Sequence, residues 1–156
     1  GDEDYISITG EKTVLDPEDF FYFGVRAVDE GEKQNMRDLG ISGYTAKEIE
    51  EIGYEKALED AMKHITQHTD TLFLSFDLDG LDPADTPATG TPVKDGLKAD
   101  RFLPVLHDVM QDYMFSGLEI VEYNPSLPGR AKTLQTIEHI FATFLLSNQI
   151  AEKRFG

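Results

Sequence analysis

Residues Thr71–Gly96, TLFLSFDLDGLDPADTPATGTPVKDG, carry an apolar run that delivers two carboxylates, Asp77 and Asp79, into a loop rich in glycine and proline. Thr71–Phe76 has the length and the Leu/Phe content of a strand buried on both faces. Gly80, Pro83, Pro87, Gly90 and Pro92 stop it from continuing. Open α/β sheets keep their ligand crevice at the carboxyl ends of the strands, and residues two apart on a strand point to one side, so both carboxylates can face a single cation. Short, acceptor-only oxygen donors suit Mg or Mn, and two carboxylates sharing a site repel unless a cation or a proton offsets them. An Asp-x-Asp after a strand also fits a solvated turn whose aspartates cap backbone N–H groups, and the pair alone leaves both readings open.

Other constellations carry less chemistry. His64 and His68 stand four apart, a zinc-compatible spacing on a helix, but Ile65 follows His64 where a catalytic HExxH has Glu, so helix-end histidines near a C-terminal dipole are expected. His107 and His139 have no neighbouring nucleophile and read as ordinary helix histidines. The chain has no GxGxxG, GxxxxGK or GxSxG string and no cysteine, which leaves phosphate cradling and nucleophilic acyl transfer without support.

The elements that must position the carboxylates alternate. Phe20–Val25 reads as a strand entered from the turn Asp16–Asp19, after a weak β signal at Tyr5–Ile8. Glu32–Leu39 reads as a short helix stopped by Gly40. Thr45-Ala46-Lys47-Glu48 is a capping-box pattern opening a helix over Ala46–His68, with Ile49, Ile52, Leu58, Ala61, Met62 and Ile65 on one face. A helix over Ala99–Met114 with Pro104 in its first turn, a strand at Leu118–Val121 and a helix over Lys132–Lys153 complete the order. This alternation predicts an α/β fold, a three-layer α-β-α arrangement with a mainly parallel sheet covered on both faces.

Composition sets the outer bounds. A chain of 156 residues, 40% hydrophobic and 28% charged, is one soluble domain's worth of sequence. The longest apolar stretches, such as Ile140–Leu146, fall far short of the roughly 20 residues a bilayer requires, so no membrane partner is expected. Zero cysteines exclude a disulfide framework and fit a reducing, cytoplasmic compartment. A net charge of −16 argues against nucleic acid, which needs Lys and Arg to displace counterions, and favours a small cationic substrate, although solubility alone also explains much of it.

Three collinear stretches resemble the ureohydrolases, the arginase and agmatinase family. They are SFDLDGLDPADTPATGTPV around Asp77, FGVRAVDEGE over Phe23–Glu32, and SGLEIVEYNPSL over Ser116–Leu127. The resemblance runs from about Asp19 to about Ala151 and covers the C-terminal half of a family member, as a single segment of an arginase-like domain. Together with a first residue that is not Met, it implies a piece of a longer chain. It implies an arginase-like fold, apparently incomplete, and a binuclear Mn2+ site. In that family a hydroxide held between two manganese ions attacks the guanidinium carbon and expels urea.

Carried over by motif, Asp77 bridges both ions, Asp79 ligates one, and Glu122 accepts hydrogen bonds from the guanidinium. Asp29 and Glu32 receive the α-ammonium of the amino acid, and Thr91 lies beside the metals. Glu122-Tyr123-Asn124-Pro125 is nearer to arginases than to agmatinases, and Asp29 and Glu32 have a purpose only for a substrate with an α-amino group, so L-arginine is the expected substrate. Agmatine hydrolysis and a non-catalytic arginase-like binding module are the alternatives, and a solvated acidic loop is the plainer account of Asp29 and Glu32.

The family's GGDH and DAHxD metal motifs and its upstream proton-shuttling histidine have no counterpart here, so this chain supplies part of the site. Alone it is expected to be inactive and to bind manganese weakly. It should leave the Thr71–Phe76 strand edge unpaired, and so be self-associated or completed by the missing N-terminal half. The resemblance further implies a homo-oligomer, trimer or hexamer. Lys94-Asp95-Gly96 replaces a more apolar turn, and Asp100-Arg101 exchanges the charges at a position that helps subunits associate.

Overall fold

A computed structural model describes residues 15–155, in which strands and helices alternate as the apolar periodicities predict. The weak β signal at Tyr5–Ile8 lies outside the described residues. Strand β1, Phe21–Val25, follows a 3-10 turn at Pro17–Asp19. Helix α1, Glu30–Leu39, begins two residues before the expected start because Asp29 caps it. A strand that the sequence pattern did not predict follows: β2, Ser42–Thr45, pairs parallel with β1 although its four residues, SGYT, are too short to show an alternation.

Thr45 ends β2 and opens helix α2, Ala46–Ile52, through the expected capping box with Glu48. The continuous helix expected over Ala46–His68 is two helices. Gly53, at φ 95° and ψ 140°, breaks the chain between α2 and α3, Tyr54–Ile65, in a conformation that side-chain-bearing residues avoid. Ile49, Leu58, Ala61 and Met62 are buried on either side of the break, whereas Ile52, expected on the same face, is exposed; the apolar spacing continues across Gly53 in the sequence, so periodicity alone hides the break.

Strand β3, Leu72–Asp77, helix α4, Ala99–Met110, strand β4, Phe115–Val121, and helix α5, Arg130–Phe155, complete the chain. Pro104 lies inside α4, deeper than the expected first turn. Pro104 and Asp100 both face solvent, where water can take up the carbonyl freed by the missing N–H. Strands β3 and β4 pair in parallel, in register from Phe73 opposite Gly117 to Asp77 opposite Val121.

Phe102 of α4 ties the two strand pairs into one core. It stacks on Phe23 of β1 at 5.3 Å and meets Tyr54 of α3 and Phe76 of β3, each at 6.1 Å. Helices α3, α4 and α5 pack side by side and bury Leu72 and Phe76 beneath them. The expectation of a strand buried on both faces therefore fails for β3. Phe73, Ser75 and Asp77 point the other way and are exposed, with Phe73 lying over Gly117 at 61% exposure. Among the described residues no element covers that face, and only β4 hydrogen-bonds to β3. No described helix is long and apolar enough to cross a membrane.

The long loop between β3 and α4 is fixed by one buried carboxylate. Asp82 accepts hydrogen bonds from the backbone N–H of Ala84 at 2.9 Å and of Asp95 at 3.2 Å, and from the Lys98 ammonium at 2.7 Å. Leu81 and Leu97 bridge in parallel beside it, and a Cβ on Gly96 would stand 2.5 Å from the Leu81 carbonyl oxygen, so only glycine fits there. The Lys98 hydrogen bond, followed by that of Ala84, holds the Asp82 carboxyl below its ordinary range, and Asp82 in turn raises Lys98.

A depressed carboxyl contributes stability that is present above its unfolded pKa of about 4 and is lost as pH falls through the folded value. A raised ammonium contributes below about 10.4 and loses its contribution as pH rises past its folded value. Lys98→Met is therefore expected to cost about 1 kcal/mol at pH 7, a modest figure because Lys98 is partly solvated. The difference from the parent should shrink as pH falls below about 4 and through the depressed Asp82 value, as read by thermal denaturation across the pH range.

Candidate functional site

Asp77 is the last residue of β3, and the 3-10 turn Leu78–Gly80 folds back over it. That turn places the Asp79 N–H 2.9 Å from Asp77 Oδ1, so the N–H-capping alternative is realised for one oxygen of Asp77. Thr91 Oγ1 donates to Asp79 Oδ2 at 2.6 Å. Asp77 Oδ2 and Asp79 Oδ1 carry no hydrogen bond among the described residues and remain available as donors to a cation.

A second loop closes on the first. Thr86 Oγ1 donates to the Leu78 carbonyl at 2.8 Å, and the Ala88 N–H donates to Thr133 Oγ1 of α5 at 3.0 Å. The Asn124 N–H bonds the Ala88 carbonyl at 2.9 Å, which draws the segment after β4 across the β3 loop. Glu122, the first residue of that segment, adopts a left-handed backbone with φ 66°. Its Oε2 lies 3.9 Å from the position a Cβ on Gly90 would take, next to Thr91. Asp77, Asp79, Thr91 and Glu122 thus converge from three separate parts of the chain.

The convergence has an electrostatic signature. Partial burial pushes the Asp77 carboxyl above its ordinary range; the charges of Asp79 and Glu122 add to the effect, while the Asp79 N–H and the Arg26 guanidinium oppose it. Carboxylates held together against their own repulsion, with free oxygens, match the donor chemistry of Mg or Mn. They are only part of a shell, since among the described residues no cluster of three or more His, Cys, Asp or Glu side chains forms a metal site.

Asp29 and Glu32 are brought together with each other. Asp29 Oδ1 accepts from the Glu32 N–H at 2.8 Å and Glu32 Oε2 from the Asp29 N–H at 2.9 Å, a reciprocal capping box at the start of α1. The spacing Asp-x-x-Glu before a helix signals this directly. Arg26 is the site residue that the motif reading passed over: its guanidinium donates from Nη1 to the Gly80 carbonyl at 2.7 Å and from Nη2 to the Asp79 carbonyl. Its partners are backbone oxygens 53 and 54 residues away, which leave no trace in sequence.

The histidines sit elsewhere. His64 packs its ring against Phe21, His68 faces Glu18 at 3.6 Å, and His107 Nδ1 contacts the buried Ser147 hydroxyl at 2.8 Å.

The family model described as "Arginase family" matches residues 6–147. An arginase of Bacillus caldovelox is 38% identical over 126 residues, covering 81% of this chain and 42% of that protein. Arginase-1 of Homo sapiens is 39% identical over 114 residues, covering 72% of this chain and 35% of that protein. The crystal structure of an arginase from Bacillus subtilis superposes with a TM-score of 0.85 at 32% identity, over 93% of this chain and 49% of the other. The chain thus spans about half or less of the length of the relatives it matches. Its parallel strand pairs and helices are part of the arginase fold, and by the family match across nearly all of its length the chain belongs to the arginase family.

Proposed function

We propose that this chain forms part of a manganese-dependent enzyme that hydrolyses the guanidinium group of L-arginine to ornithine and urea. The observation that carries the reading is the placement of Asp77, with Asp79 beside it, and of Glu122 at the ends of two paired parallel strands, with Asp77 raised chiefly by partial burial. Asp77 and Asp79 would hold the cation through their free oxygens. When bound, manganese lowers the pKa of water and makes a nucleophile available near neutral pH. Glu122 accepts hydrogen bonds from the planar guanidinium and fixes its carbon relative to the carboxylate pair. Thr91 holds the Asp79 carboxylate in one orientation and borders the substrate. Asp29 and Glu32, each with one carboxylate oxygen outside the capping box, face the α-ammonium. A cytoplasmic setting and a homo-oligomer complete the proposal.

The capping box also favours a second reading. It accounts for Asp29 and Glu32 without any ligand, which leaves room for a ureohydrolase substrate that lacks an α-amino group. A structure of a hypothetical agmatinase from Burkholderia thailandensis matches with a TM-score of 0.76 at 26% identity, while a formimidoylglutamase from Bacillus subtilis, at 22% identity, shares the fold alone.

Four variants of the full-length protein test these roles. Asp79→Asn removes an anionic ligand and should lower the manganese content at equal protein; unchanged content by metal analysis would count against the assignment. Asp29→Ala should raise KM for arginine roughly 10-fold, the lower end of what a charged hydrogen bond supplies, because Asp29 is exposed. It should leave turnover of agmatine unaffected, and parent protein that processes both substrates equally would support the second reading. Glu122→Gly should raise thermal stability, by up to about 1 kcal/mol, because glycine accepts the left-handed backbone that Glu122 strains to adopt. The same variant should lose guanidinium binding, whereas Glu122→Gln should lose binding without the gain in stability.

A further inference from the structure

We infer that Arg26 is a positioning residue for the cation site: a guanidinium fork, rooted at the end of β1, that fixes the peptide carbonyls of Asp79 and Gly80 and so sets where the Asp79 carboxylate points. Arg26 directly follows β1 and reaches across to the turn after β3, donating from its two terminal nitrogens to the carbonyls of two consecutive residues. Two carbonyls held from one plane fix the two peptide planes that meet at the Gly80 Cα, and with them the torsions of Gly80 and the ψ of Asp79. Asp79 is thereby held at three points. Its N–H is bound to Asp77 Oδ1, its carbonyl to Arg26 and its carboxylate to Thr91.

The Asp77 and Thr91 contacts come from the β3 segment itself. Arg26 is the tie from β1 to this turn, while Phe23 on Phe102 and Phe21 on His64 anchor the strand itself to the core. An ordinary staple would have been built from an apolar or fully matched side chain. Arg26 instead buries its Nε without a partner among the described residues, a cost offset by the two hydrogen bonds its other nitrogens make. The guanidinium also stands close enough to Asp77 to act on its charge, yet its recorded hydrogen bonds go to neutral carbonyls and leave both carboxylates unblocked. A lysine at this position would keep the positive charge and lose the fork.

This inference rests on the manganese reading above for its consequence, while the clamp itself has an independent readout. In the full-length protein, Arg26→Lys and Arg26→Met are compared with the parent by amide hydrogen exchange over residues 77–82 without metal, by Mn2+ titration followed through the signal of the free ion, and by thermal denaturation. Both variants should exchange the Asp79–Asp82 amides at least 10-fold faster and bind Mn2+ at least 10-fold more weakly, with Arg26→Lys retaining a Tm within about 3 °C of the parent. A merely structural residue would lower Tm and leave the Mn2+ affinity of the folded protein unchanged, and that result overturns the inference. An Arg26→Lys variant indistinguishable from the parent, with only Arg26→Met impaired, overturns it too, because charge and not the fork would then be at work. If the parent itself binds no Mn2+, the metal reading falls, and the exchange rates of Arg26→Lys alone decide whether the clamp stands.

Discussion

The placement of the Asp77–Asp79 turn against the end of β4 is the constraint on which the organisation of the molecule turns. Bringing carboxylates near one another is costly, so the backbone must hold them there, and partial burial, more than the charges of Asp79 and Glu122, pushes the Asp77 carboxyl above its ordinary range. The restraints are numerous and largely drawn from outside the carboxylates. Thr86 and Thr133 tie down the loop from below, Asn124 draws the β4 segment over it, and Asp82 with Lys98 closes its far end. Most of these bonds are buried or partly buried, where they are less exposed to screening than a surface pair.

That arrangement explains why strain sits at Glu122. β4 runs parallel to β3 and ends beside it, so a residue immediately past its end must turn sharply to face the loop of the neighbouring strand. The left-handed conformation at Glu122 makes this turn. Glycine would make it more cheaply but offers no carboxylate. The surrounding fold over-determines the conformation through the Asn124 bond and an Asx turn in which Asn124 Oδ1 accepts from the Ser126 N–H.

Sequence carries such a site unevenly. The apolar run ending in Asp77 and Asp79, the Thr45 capping box and the strand before Glu122 are local patterns, and each appears where its period and turn residues point. Features set by tertiary contact are hidden. β2 is too short for its alternation to register, and the break at Gly53 is masked by an apolar spacing that continues through it in the sequence, although Ile52 is exposed. Arg26 binds main-chain carbonyls that every residue possesses. The misplacement of Pro104 has the opposite origin. A local rule that keeps proline in the first turn yielded to a helix whose core face, Phe102, Leu103 and Leu106, was worth more than one backbone hydrogen bond. The Asp29–Glu32 box is as plain in the sequence as the Thr45 box, with the same spacing ahead of a helix.

The exposed face and free edge of β3 belong to the same account as the partial metal shell. Parallel strands in one sheet stand about 4.8 Å apart and end on the same side, so the carboxyl ends of neighbours form a single row. A further strand hydrogen-bonded in parallel to the open edge of β3 would end beside Asp77, opposite the position that β4 gives Glu122. Ligands delivered there would meet the free oxygens of Asp77 and Asp79, and a layer over Phe73, Ser75 and Glu119 would take water from the same region and strengthen every charge interaction within it. A strand at the open edge of β3 and a layer over its exposed face would therefore act on the same strand ends that present Asp77 and Asp79.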